Sequence, residues 1–159
     1  MRSVQLGLAL GLLVAVTLQL VALPDWMRLA RPYWIPLMLS YWALSEPRAA
    51  SLLGAFIAGL AVDVAFAAPL GQHALASVIV VYLIHRLRPI FILFETWQAA
   101  LALIPIWALH AFLLFWVDGV TGHSADPWLR WAPVASTALV WPPLHLLMHS
   151  LLRERADEE

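Results

Sequence analysis

Long apolar runs broken only by short connections constrain this chain more than any other feature. The longer runs approach the roughly 20 residues that a helix needs to cross a bilayer. Hydrophobic residues fill 63% of the 159 positions, where a soluble domain has about 45–50%. The expectation is an all-α, polytopic membrane protein: one bundle over residues 1–152, then a short charged cytoplasmic tail at 153–159. The net charge of −1 offers no basic surface for nucleic acid. The absence of cysteine excludes disulfides, thiol catalysis and cysteine metal sites.

Six spans are expected, at residues 4–23, 33–44, 51–68, 72–87, 97–117 and 131–152. The first has a basic start like a signal peptide, but the spans after it favour an uncleaved helix. The second, YWIPLMLSYWAL, reaches only about 18 Å as a helix, short of the roughly 30 Å hydrocarbon core. Either it starts earlier, with Arg28 and Arg31 snorkelling, or it is short and re-entrant. The segment 90–96 lies in the interface or extends the fifth span. Pro89 is expected to stop the fourth span, Pro105 to kink the fifth, and Pro142-Pro143 to bend the sixth. Nine tryptophans, several flanking apolar runs, are expected to form an aromatic belt.

Residues 54–82 hold the most informative stretch. Ala55, Gly59 and Asp63 are spaced i, i+4, i+8 and share one helix face, with Gly54 and Ala58 beside them. Such small residues let a backbone approach a neighbouring helix closely. The turn at Pro69-Leu70-Gly71 predicts an antiparallel hairpin, with Ala74, Ala76 and Ser77 accepting the Gly54–Gly59 face. Asp63 should point inward, because a carboxyl facing lipid is costly. It either fixes packing or acts in binding or switching.

Arginine distribution sets the expected orientation. With six spans, Arg2, Arg48, Arg86, Arg88, Arg153 and Arg155 share one side, and Arg28, Arg31 and Arg130 the other. Positive-inside places both termini in the cytoplasm.

Polar residues from five spans then fall at one depth, within about 10 Å of the outer ends of their helices at 1.5 Å per residue. They are Asp63, His110, Ser77, Ser136, and Gln19 with Thr17. Asp63 is expected to bond to at least one of Gln19, Ser77, His110, Ser136 or Thr137.

No chemistry-bearing motif emerges: there is neither a glycine-rich phosphate loop nor a GxSxG elbow. His145 and His149 are spaced i, i+4 and could face one metal ion, but Leu-Leu-Met between them lacks the glutamate of HExxH. The bland alternative is an interfacial polar role. Asp63 with His110 is a weak proton-relay pair. His123, Ser124 and Asp126 read as a solvated loop. No catalytic, cofactor or metal site is assigned.

An ordered set of residues carries a resemblance. Leu18-Gln19, Arg31-Pro32-x-Trp34 and Tyr41-Trp42 open it. Gly59-Leu60-x-x-Asp63, Pro69-Leu70-Gly71-x-x-Ala74-Leu75 and Tyr82-Leu83 continue it, and Trp141-Pro142 ends it. Together they resemble the rod-shape-determining membrane protein MreD family; His73 has no counterpart in that pattern. The resemblance implies a non-catalytic component of the elongasome in the bacterial inner membrane. Its implied partners are the bitopic MreC and, through the larger assembly, RodA, a penicillin-binding transpeptidase and MreB. A second copy of the chain is a further candidate partner. It also implies a fold similar to the substrate-binding subunits of energy-coupling-factor transporters. That supplies the alternative reading, a small-molecule binder with a polar cavity in the outer half of the bundle.

Overall fold

The computed structural model describes residues 2–21, 24, 31–122 and 131–157. Among them the chain is entirely helical, with no strand: α1 (Arg2–Leu20), α2 (Trp34–Ser45), α3 (Leu52–Ala65), α4 (Gln72–Phe91), α5 (Thr96–Val120) and α6 (Ala132–Asp157). Two of these, α4 and α5, are long and apolar enough to cross a membrane; Gln5–Leu20 within α1 and all of α3 are apolar but shorter. Large apolar side chains line the outside, among them Leu53, Ile57, Val64, Leu101, Phe112 and Leu139.

The short second helix occupies the middle. α2 begins at Trp34, so Arg31 to Tyr33 do not extend it, and Ile35 through Ala43 are buried without a break. A helix that is apolar all round belongs in a core, and α2 packs against α1, α3, α4 and α6. The buried Ser40 hydroxyl is internally satisfied: Ser40 Oγ donates to the Pro36 carbonyl at 2.6 Å and accepts from Trp107 Nε1 at 3.1 Å.

Neighbouring elements hold both ends of α2. Before the helix, the Tyr33 N–H donates to Thr137 Oγ1 at 2.9 Å and the Trp34 N–H to Gln19 Oε1 at 3.3 Å. These meet donors that have no partner within the helix. At the other end, Arg88 Nε donates to the Leu44 carbonyl at 2.9 Å, a cation at a helix C-terminus.

α3 and α4 form the closest-packed pair. Gly59 makes this possible: a Cβ there would fall 2.4 Å from the Ala74 Cα. Gly54 plays no part in the crossing, since a Cβ on it would meet only Ser51 Oγ, which caps α3 by accepting from the Gly54 N–H. The turn between them starts as a Schellman closure. Ala68 N–H bonds to the Asp63 carbonyl at 2.9 Å and Ala67 N–H to that of Val64 at 3.4 Å. Ala67, at φ 50°, takes the left-handed position usually given to glycine.

Other sequence expectations need correction. Pro89 does not stop α4, which runs on to Phe91. It sits in the last turn, where the lost N–H interrupts little of the ladder, and Ile92 N–H still closes on the Arg88 carbonyl. Residues 92–95 are a connection, and α5 opens with a reciprocal capping box between Glu95 and Gln98. α6 continues past residue 152 to Asp157, because Arg, Glu and Ala favour helix. Trp42, Trp107 and Trp141 are core residues rather than belt; Trp97, Trp116 and Trp131 are exposed.

An apolar groove of about 430 Å³ runs over α2, lined on its two sides by α1 and α6. Met38 and Trp42 belong to its lining, as does Gly11, whose position leaves room for the Met38 sulfur.

Candidate functional site: a polar cleft at the hairpin end

Asp63 sits in the last turn of α3, where a negative charge opposes its own helix dipole. Its carboxyl is turned instead onto the start of α4, and it is wholly buried. Oδ2 accepts from the Gly71 N–H at 2.8 Å and, more weakly, from the Ala74 N–H at 3.5 Å. Oδ1 accepts from the His73 N–H at 2.9 Å and lies 2.9 Å from His73 Nδ1. Gly71, at φ 96°, is the N-cap of α4 and has no side chain to cap with. Asp63 therefore does from the preceding helix what an N-cap Asp or Ser does locally.

This corrects the expected partners of Asp63. Gln19, Ser77, His110, Ser136 and Thr137 are not among the groups bonded to it. The first turn of α4 outcompetes them because it offers several N–H donors that no helical carbonyl reaches. The Asp63–His110 pair does not form either. His73 stands beside both: it bonds to Asp63, and its ring centroid is 6.5 Å from that of His110.

Two cavities meet at this place. The larger is an open cleft of about 420 Å³ lined by Gln19, Arg31, Gln72, His73, Leu114 and Asp118, with the turn from Phe66 to Pro69. Behind it lies a chamber of about 40 Å³ lined by Gln19, Tyr33, Val62, His73, Ser77 and His110, with Ile35 and Pro36. Gln19 and His73 border both. Gln72 Nε2 ties the cleft wall together, donating to Asp118 Oδ1 at 2.8 Å and to the Leu114 carbonyl at 3.2 Å. Arg31 donates to the carbonyls of Gln19, at 2.6 Å, and Val21, holding the end of α1 over the cleft.

The structure thus brings Gln19, Ser77 and His110 around one chamber, with Asp63 joined to it through His73. Ser136 is elsewhere: its hydroxyl bonds back to the Ala132 and Pro133 carbonyls of its own helix. Its neighbour Thr137 faces inward. Thr17 is exposed and also bonds within its own helix. Ala55 is fully buried on the Gly59 face, and the Pro69 carbonyl accepts from the Gln72 N–H across the turn. His123, Ser124 and Asp126 lie outside the described residues.

Sequence reasoning missed His73, Gln72, Asp118 and Tyr33. For His73 there was a signal: it follows a helix-opening glycine, ten residues after a lone acid across a tight turn. His145 and His149 stack at 6.2 Å, and His145 packs between the rings of Tyr41 and Trp141. No group of three or more metal-donor side chains occurs among the described residues.

Comparison with known proteins agrees with the sequence pattern. The chain is 27% identical over 141 residues to the rod shape-determining protein MreD of Haemophilus influenzae, covering 89% of this chain and 87% of that one. No solved structure gives a significant match. The family model for the rod shape-determining protein MreD matches residues 1–151. The chain therefore belongs to the MreD family of rod shape-determining proteins.

Proposed function

We propose that this protein is a non-catalytic scaffold or regulator of cell-wall elongation in the bacterial inner membrane. It crosses the membrane six times, with both termini in the cytoplasm. It acts laterally, as a packed bundle presenting lipid-facing and outer-face surface to the bitopic protein MreC. Through that contact it joins the assembly containing RodA, a penicillin-binding transpeptidase and MreB, and so influences cell shape and lateral peptidoglycan synthesis. The observation that carries the reading is the match to the MreD family over residues 1–151. The two membrane-capable helices and the apolar exterior support the membrane part.

A second reading draws on the cleft. Its 420 Å³ lies within the roughly 300–1,000 Å³ of small-molecule sites, and its polar lining suits a soluble ligand. Native mass spectrometry of the protein, gently extracted from its own membrane, tests the two. A co-purifying bitopic protein is expected under the scaffold reading. A stoichiometric small ligand with no protein partner would replace it with the binder.

A further inference from the structure

His110 is 1% exposed, and no protein group bonds to either nitrogen of its ring. An imidazole needs partners for both nitrogens, and leaving them without any in a dry core is costly. The ring packs edge-on to Tyr33 at 4.9 Å and borders the 40 Å³ chamber together with Gln19, Ser77 and His73. A polar cavity holds water where at least roughly 10–15 Å³ and two to four polar partners are present, and this chamber of about 40 Å³ exceeds that volume.

The cleft beside it offers a second, independent feature of the same kind. Gln72 is 6% exposed, and its Oε1 is an acceptor with no protein donor. Between cleft and chamber stand Gln19 and His73, which line both. His73 is held by Asp63 at Nδ1, and its side chain is 23% exposed.

We propose that the chamber is a water site, and that cleft and chamber together form a hydrated funnel by which solvent reaches His110. Water is the ligand that fits. It supplies the donor and the acceptor an imidazole needs, and it is small enough for the chamber. A metal ion does not fit: both Asp63 oxygens are taken by N–H groups, and no cluster of three metal donors stands among the described residues. Ile35, Pro36 and Val62 supply the apolar part of the chamber lining. These features hold whichever way the bundle faces.

Water-edited solid-state NMR of the wild-type protein in bilayers, with ¹⁵N-labelled histidine and tryptophan, tests the proposal directly. The His110 ring signal, identified by its loss in His110→Phe, is expected to receive water magnetisation much faster than the indole of Trp107, which bonds to Ser40 in the core. Equal, slow build-up at the two would overturn it. A chemical test uses the natural absence of cysteine. In the purified full chain, Ser77→Cys should react with methyl methanethiosulfonate at least roughly tenfold faster than Ser40→Cys, whose site opens only by local unfolding. Matching rates would refute solvent access to the chamber.

Discussion

Gly59 and Ala74 cross with no space for a side chain between them: a Cβ on Gly59 would lie 2.4 Å from the Ala74 Cα and 2.5 Å from the His73 carbonyl oxygen. Both obstacles are backbone, so neither can rotate away. Gly59→Ala should lower stability by about 1–3 kcal/mol, and Gly59→Leu should lose most of the folded yield. Gly54→Ala, which meets only Ser51 Oγ, should leave the melting temperature unchanged or raise it. Thermal unfolding in detergent reads all three; an unaffected Gly59→Ala would mean the helices do not cross there.

Asp63→Asn is expected to destabilise, although it conserves shape. Both carboxyl oxygens face N–H donors. An amide keeps one acceptor and turns its own NH₂ toward a donor, at about 1–3 kcal/mol for the group left unsatisfied. His73→Ala should cost less, because the backbone N–H bonds to Asp63 remain. Chemical denaturation of the two variants and their double mutant measures the ordering; the reverse order would mean that the His73 ring, not the cap, holds the hairpin.

Ala67→Gly should stabilise the protein. Ala67 adopts φ 50°, and the left-handed region costs a residue with a Cβ roughly 1–2 kcal/mol. Part of that gain is lost to the greater freedom of glycine in the unfolded chain. A lower melting temperature in Ala67→Gly would contradict the turn geometry.

Arg88→Met should weaken the contact between α2 and α4 by removing the donor to the Leu44 carbonyl while keeping the apolar stem. The expected loss is about 1–2 kcal/mol. Hydrogen exchange should rise at Ser45 and Glu46, after the capped carbonyl. Unchanged exchange there would show that solvent serves that carbonyl equally well.

Single-cysteine labelling tests the topology. Arg48→Cys should be protected from an impermeant thiol reagent added to intact spheroplasts, and Thr121→Cys should react, following the six-to-three arginine split. Reaction at position 48 and protection at 121 would invert the bundle.

The parts legible in the sequence were those written in side chains. Pro69, Gly71 and the small residues around Gly59 carry the hairpin because turn chemistry and close approach depend on residue type. The place of α2 was not legible: a run apolar on every face has no periodicity, so nothing in YWIPLMLSYWAL says it is central. Asp63 was legible as an inward-facing acid, but its partners were missed because three of its four donors are backbone N–H groups, which no letter of the sequence marks. Ser136 and Thr137 differ by one position, which on a helix is about 100°. Depth along a helix does not say which of them faces the core.

The bond from the Tyr33 N–H to Thr137 Oγ1 joins residues 104 positions apart. The entrance of the central helix is therefore finished by a segment synthesised about a hundred residues after it. Until then part of the eventual casing of α2 is still unmade. A nascent chain that has not reached residue 137 lacks the hydroxyl that accepts from the Tyr33 N–H. Such long-range closure is slow and exposes incomplete intermediates. Loss of the Thr137 hydroxyl from α6 should accordingly register at the distant start of α2.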